Sequence, residues 1–123
     1  MTTLRRMSAL LLSLCGALAP VLHTHAQVPP PFPSKQVRII VPFPAGGSAD
    51  TLVRVVSQSL TKRWNQPVLV DNRPGGGTVI AGALAAKAPA DGYTLIVIAN
   101  SLTINAKLRT NLPYDGLRAF DPV

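Results

Sequence analysis

The feature that most constrains the fold of this chain is a β-branched run followed by a glycine turn and an amphipathic helix. Four β-branched residues within positions 37–41 favour a buried strand, predicted over 37–43. Two prolines and two glycines in 42–47 end it. Ser48 is the expected N-cap of a helix over 48–64, because its hydroxyl can accept from a free backbone N–H. An apolar stripe recurs at every fourth position and is expected to pack on a sheet. It consists of Leu52, Val56, Leu60 and Trp64.

The same order of elements then repeats along the chain. A second strand is predicted over 67–71, a helix over 78–87 and a third strand over 93–99, and one helical turn over 104–109 follows. The strand centres are continuously apolar, which is typical of parallel sheets covered on both faces. The alternation predicts an α/β sandwich with a mainly parallel sheet. In the second helix the residues expected to face the sheet are Ile80, Ala83, Leu84 and Ala88.

The amino-terminal 26 residues have the pattern of a cleaved export signal. Arg5 and Arg6 precede an apolar stretch, and 24–26 resembles a small-x-small cleavage site. A membrane anchor and a lipoprotein signal centred on Cys15 are alternatives. We therefore expect a signal peptide over 1–26, a proline-rich leader over 27–34, a folded part over 35–123, and a periplasmic location.

Composition excludes several function classes. The formal net charge is +7, but the basic residues are scattered, which disfavours nucleic-acid binding and is compatible with an anionic small molecule. Cys15 is the single cysteine, so no internal disulfide is expected. After Gln27 the sequence has no His, Cys or Glu, which removes most general bases and metal ligands. We predict neither an enzyme nor a metal or other cofactor; the remaining alternative is an aspartate-dependent hydrolase that needs Asp50.

Three predicted loops, 44–48, 72–78 and 100–105, follow the carboxyl ends of strands, where ligands bind in parallel sheets. For Gly46, Gly47 and Ser48 two interpretations remain open. The glycines can simply permit the turn, or the backbone N–H groups and the Ser48 hydroxyl can bind an anion at the helix N-terminus. Asp50 either complements the helix dipole or fixes the loop by hydrogen bonding.

Other loop residues also have two interpretations. The glycines of 75–77 predict a flexible turn, because Ile80 replaces the third glycine of a dinucleotide fingerprint and no P-loop lysine is present. The polar segment 100–103 predicts either helix caps or ligand contacts. Phe43 either ends the core or covers the aliphatic part of a ligand, and Trp64 is expected in the core.

Four blocks of sequence, in order, resemble the tripartite tricarboxylate transporter substrate-binding receptors, also called the Bug family. They are 33–50 (PSKxVRIIVPFPAGGSxD), 66–77 (QPVxVxNRPGGG), 90–95 (ADGYTL) and 112–115 (LPYD). The resemblance implies a periplasmic-binding-protein type II-like sandwich with two lobes. It also implies capture of small carboxylates, namely dicarboxylates, tricarboxylates or acidic amino acids. Some members deliver the ligand to a membrane permease and others serve sensing.

The resemblance further implies that the loops after the first and third strands hold a ligand carboxylate, partly through ordered waters. Carried over to this sequence, the expected substrate-binding residues are Phe43, Ala45, Gly46, Gly47, Ser48, Asp50, Asn100, Ser101, Thr103 and Asn105. Family members are much longer, so residues 35–123 are expected to form only part of the first lobe. The alternative is a truncated remnant with a structural or interaction role and no ligand binding.

Overall fold

A computed structural model describes residues 31–123 of the protein. The expected export signal and residues 27–30 of the expected leader lie outside this range. The described residues form three strands, three α-helices and one short 3-10 helix. In chain order they are β1 (Val37–Val41), α1 (Ser48–Trp64), β2 (Val68–Asn72), the 3-10 helix (Gly76–Thr78), α2 (Val79–Ala86), β3 (Thr94–Ile96) and α3 (Asn100–Leu108).

The three strands form one parallel sheet in the order β2-β1-β3. The central strand β1 pairs through Ile39 with Val70 on one side and Leu95 on the other. Its β-branched side chains are all buried. Val37, Ile39 and Val41 form one core cluster with Val68, and Ile40 alternates with them along the strand. The prediction of an α/β fold with a parallel sheet is therefore confirmed. Among residues 31–123, no helix combines the length and the apolar character needed to cross a bilayer.

Helix α1 has the predicted bounds, but its cap and its buried face differ from the prediction. Gly47 is the N-cap and makes no side-chain bond, so Ser48 is the first helical residue rather than the cap. Leu52 and Val56 are 68% and 52% exposed, whereas Asp50 and Ser57 are buried. Strict four-residue spacing advances about 40° around a helix at each step, so the predicted stripe drifts off the sheet-facing side. The partly buried residues of α1 that pack on the core are Val53, Leu60 and Trp64.

Helix α2 and strand β3 are shorter than predicted. β3 ends at Ile96, and the buried positions of α2 are Ala81 and Gly82, whereas Ile80 is 53% exposed. A Cβ atom on Gly82 would lie only 2.6 Å from Cζ of Tyr114. The small residue therefore lets the tyrosine ring pack directly on the helix backbone. Ile80 lies instead beside Gly75, where an added Cβ atom would be 2.9 Å from Ile80 Cδ1.

Helix α3 begins at Asn100, so the predicted loop over 100–105 is wrong. Leu102 and Asn105 are both buried on this helix, three positions apart, which places them on one face. The predicted single turn over 104–109 is the second half of this helix. Polar residues at 100–103 concealed the helix start, because they are equally typical of loops and of first helical turns.

The end of the expected leader packs against the amino-terminal edge of the sheet. Pro33 is buried, and the ring of Phe32 lies 4.9 Å from the ring of Tyr93 and 6.3 Å from that of Trp64, centroid to centroid. The backbone N–H of Ser34 donates to the Tyr93 hydroxyl over 2.9 Å. These contacts cover the amino-terminal end of the sheet, which is opposite to the predicted ligand loops.

Candidate functional site

The turn between β1 and α1 carries the first group of predicted site residues. Gly46 has φ +84°, a conformation that glycine adopts without strain, and Gly47 is extended at the N-cap. The first bond of the helix runs from Thr51 N–H to Gly47 O over 2.9 Å. The N–H groups of Ser48 and Ala49 precede that bond and have no acceptor within the helix. They therefore concentrate positive partial charge at this turn.

A cavity of about 290 Å³ opens at the same place. Four of the predicted site residues belong to this turn and are exposed, namely Ala45, Gly46, Gly47 and Ser48. The cavity is lined by Phe43, Pro44, Gly47, Ser48 and Ala49. An apolar ring thus faces a helix N-terminus across a space large enough for a small organic acid. This arrangement can bind an anionic group through backbone N–H donors and an aliphatic part against the ring.

Asp50 lies beside this turn but is only 3% exposed. Its Oδ2 accepts from the backbone N–H of Gly46 over 2.8 Å and from Arg54 Nε over 2.9 Å. Its Oδ1 accepts from Asn72 Nδ2 over 2.9 Å. These bonds, chiefly that from Arg54, hold the pKa of Asp50 well below its usual range. Asp50 therefore fixes the turn by hydrogen bonding, which is one of its two sequence interpretations.

Arg54 and Asn72 are site-forming residues that sequence reasoning missed. Asn72 Nδ2 also donates to Phe43 O over 3.1 Å, and Arg54 Nη2 donates to Asn72 Oδ1 over 3.2 Å. Arg54 follows Asp50 by four residues on one helix, a spacing that predicts an ion pair. No comparable signal in the sequence links Asn72 to the turn, because the contact joins the ends of two neighbouring strands.

The second group of predicted residues lies on α3 rather than on a loop. Asn100 and Thr103 are exposed, and Ser101 Oγ lies 3.3 Å from the hydroxyl of Thr78. Asn105 is buried, donates through Nδ2 to Gly77 O over 2.6 Å, and accepts from Arg109 Nε over 3.0 Å. Asn105 therefore fastens the glycine turn to α3.

The glycine turn after β2 is a run of left-handed backbone rather than an unrestrained loop. Gly75, Gly76 and Gly77 have φ of +116°, +59° and +62°, and Thr78 follows with φ +78°. The N–H of Thr78 donates to Gly75 O over 3.0 Å. A positive φ is a strained conformation for a β-branched residue, and such strain is concentrated at functional sites. Sequence reasoning missed Thr78 because threonine is among the least expected residues in this conformation.

The three turns meet at one edge of the sheet. β1 and β3 are adjacent and parallel, and Val97 N–H donates to Ile40 O beyond the end of β3. The last residue of β2, Asn72, touches the first turn, and the turn after β2 touches α3 through Thr78 and Gly77. The predicted residues thus form two groups, one at the start of α1 and one on α3; Asn72 at the end of β2 is bonded to the first, and the glycine turn that follows it is bonded to the second.

A larger cavity of about 500 Å³ lies elsewhere, between α2, β3 and the carboxyl-terminal segment. Its lining is mostly small and apolar, includes Leu95 and Phe120, and contains Asp121 but neither lysine nor arginine. A carboxylate ligand would be repelled there rather than attracted. Within residues 31–123, no group of three His, Cys, Asp or Glu side chains is placed to hold a metal ion. The smaller cavity at the α1 N-terminus is therefore the better anion site.

Comparison with known proteins gives a consistent result. The sequence profile described as TctC, the tripartite tricarboxylate transporter family receptor, matches residues 52–123. The protein BugT of Bordetella pertussis is 37% identical over 100% of this chain and 36% of its own length. A protein encoded in the tcbD–tcbE intergenic region of a Pseudomonas species is 39% identical over 81% of this chain and 30% of its own length. The chain thus spans about a third of the length of these relatives.

Solved structures of similar fold are periplasmic binding proteins. The periplasmic binding protein BugD has a TM-score of 0.68 at 30% identity, over 74% of this chain and 30% of its own. MatC of Rhodopseudomonas palustris, solved with bound malate, has a TM-score of 0.67 at 34% identity, over 75% of this chain and 32% of its own. A second R. palustris protein, solved with adipate, has a TM-score of 0.64 at 36% identity, over 69% of this chain and 29% of its own. The predicted fold, part of a periplasmic-binding-protein lobe, is confirmed.

Proposed function

Because this chain belongs to the tripartite tricarboxylate transporter receptor family, whose members are solute-binding receptors and not enzymes, we propose that it captures a small organic carboxylate. Dicarboxylates, tricarboxylates and acidic amino acids are the proposed ligand class. The malate and adipate bound to two structural relatives support that choice. The chain would act in the periplasm as part of the first lobe, with 1–26 as export signal, 27–34 as leader and 35–123 as the lobe segment. A membrane permease is the proposed recipient of the ligand.

The observation that carries this proposal is the cavity at the N-terminus of α1. One carboxylate of the ligand would accept from the N–H groups of Gly47, Ser48 and Ala49, with the Ser48 hydroxyl as a further donor. The aliphatic part would lie against Phe43 and Pro44, which line the same space. Backbone donors at a helix end recognise any carboxylate, so this contact supplies affinity for the class rather than choice among its members.

The start of α3 also supports the proposal, because this helix follows β3, the strand that pairs with β1. Asn100, Ser101 and Thr103 lie in its first turn, beyond the end of β3. Their amide and hydroxyl groups would contact the ligand directly or through water, while Asn105 keeps the glycine turn against the helix. A ligand bound at this edge would therefore be in reach of two helix N-termini, both of which favour negative charge.

Titration calorimetry of the full chain tests the proposal. The panel is adipate, malate, succinate, citrate, glutamate and nicotinate, with 1,6-hexanediol as the uncharged control for adipate. We expect saturable binding of at least one acid and none of the diol. The variant Gly47→Val should lose that binding, because the side chain would enter the cavity, whereas Ser59→Val on the exposed side of the same helix should retain it. No heat with any acid would contradict the proposal and favour a structural remnant.

A further inference from the structure

Asp50 carries a negative charge directly beside a site proposed to bind an anion. Its carboxylate oxygens already accept from Gly46 N–H, Arg54 Nε and Asn72 Nδ2. It is almost completely buried, and it is not among the residues that line the cavity. Its hydrogen-bonding capacity is therefore directed into the protein, which leaves it unsuited to contact a ligand.

The charge of Asp50 is compensated by Arg54, one helical turn further along α1. Arg54 Nε lies 2.9 Å from Oδ2 of Asp50, and the two side chains are 49% and 4% exposed. Without that cation, a buried carboxylate next to the cavity would repel an incoming organic acid. With it, the pair is close to neutral and the field of the helix N-terminus is left to attract the ligand.

Asn72 joins this ion pair to the backbone of the turn. Its amide nitrogen donates both to Asp50 Oδ1 and to Phe43 O, and its amide oxygen accepts from Arg54 Nη2. The turn is held at two points, where Gly46 N–H donates to Asp50 and where Asn72 Nδ2 donates to Phe43 O. The segment between those points includes Pro44, which lines the cavity together with Phe43.

We propose that Asp50, Arg54 and Asn72 form a positioning network that holds the turn over 43–47 in its ligand-binding shape and cancels its own charge, without touching the ligand. This inference rests on the proposed function, and it changes the role of Asp50 from ligand contact to positioning residue. It also adds Arg54 and Asn72, which lie outside the set expected from the sequence.

Affinity measurements on charge variants of the full chain test the compensation of charge. Arg54→Met should weaken adipate binding about tenfold at low ionic strength, because Asp50 is then uncompensated, and less at high salt. The variant Arg54→Lys should recover most of the affinity, and the double variant Asp50→Asn/Arg54→Met should lose the extra weakening at low ionic strength, because no uncompensated charge remains. Arg63→Met, which removes the same charge from the exposed last turn of α1, is the matched control and should change affinity by less than about twofold. An equal dependence of adipate affinity on salt in Arg54→Met and in the double variant would overturn this part of the proposal.

Amide NMR spectra test the positioning role independently of any ligand. Asn72→Ala should shift the backbone amide of Gly46 and increase its hydrogen-exchange rate, while core amides such as Ile40 keep their wild-type shifts. An unaltered Gly46 amide in this variant would overturn the network. If the wild-type chain binds no acid while Gly46 responds as expected, the proposed function fails and the positioning of the turn stands.

Discussion

Replacing Gly46 with alanine separates backbone conformation from side-chain contact at the turn after β1. Gly46 has φ +84°, and a Cβ atom built on it would have no heavy atom within 4 Å. No steric clash therefore contributes, and the cost is that of holding an L-residue in the left-handed region, about 1–2 kcal/mol. With a urea m-value of about 1 kcal/mol/M for a small domain, Gly46→Ala should lower the unfolding midpoint by about 1–2 M.

Gly47→Ala is the matched control for this substitution. Gly47 has φ −76° and ψ 170°, which alanine adopts freely, and the added Cβ would lie 3.5 Å from Pro44 O, an ordinary contact. The free energy of unfolding should therefore change by less than about 0.5 kcal/mol, because reduced freedom of the unfolded chain offsets a poorer N-cap. The new methyl group would, however, line the cavity and weaken adipate binding.

Urea unfolding followed by the fluorescence of Trp64, the single tryptophan, measures both effects. Trp64 packs on the core at the far end of α1, so its emission reports loss of the whole fold rather than of the turn. Calorimetry with adipate then gives the affinities. We expect Gly46→Ala to lose stability and Gly47→Ala to keep stability but lose affinity. A Gly46→Ala variant as stable as the wild type would refute the assigned backbone conformation of the turn.

Three further substitutions test other parts of the structure. Tyr114→Phe should leave stability unchanged or raise it by up to about 1 kcal/mol in urea unfolding, because the buried Tyr114 hydroxyl has no hydrogen-bond partner among the described residues; a clear loss would reveal one. Thr78→Gly should be more stable than Thr78→Ala by about 1 kcal/mol, since both lack the hydroxyl and only alanine retains the strain at φ +78°; the reverse order in thermal melts would contradict that strain. Asp50→Asn should make the melting temperature fall less steeply below about pH 4. The pKa of Asp50 is lower in the fold than its value near 3.9 in the unfolded chain, so the ionised carboxylate stabilises the fold above that pH, and this stabilisation is lost as the pH falls toward the folded pKa. An unchanged loss of melting temperature in acid would contradict the hydrogen bonds assigned to Asp50.

The bounds of α1 and the parallel direction of the strands could be predicted, because local sequence signals determine them. The β-branched run of β1 and the Pro–Gly segment after it fix the junction within a few residues. The buried face of α1 could not be predicted from hydropathy, because polar Asp50 and Ser57 occupy it. Ser57 Oγ donates to Val68 O over 2.8 Å, a contact with a strand eleven residues away that no helical periodicity contains.

The candidate site was predictable only in part, for a similar reason. A helix N-terminus is visible in the sequence, and Gly46, Gly47 and Ser48 were therefore predicted correctly to lie at one. The start of α3 was not visible, since Asn100 and Ser101 suit a loop as well as a first helical turn. The strain at Thr78 and the bridge through Asn72 depend on how neighbouring strands place their ends, which is a property of the assembled sheet.

An amide NMR titration of the full chain with adipate tests the central claim most directly, because it reports where the acid binds as well as whether it does. The account predicts saturable shifts that are largest at the backbone N–H groups of Gly47, Ser48 and Ala49, with none caused by 1,6-hexanediol. Saturable shifts confined to the larger cavity, at Leu95 and Phe120, with the α1 amides unmoved, would contradict it.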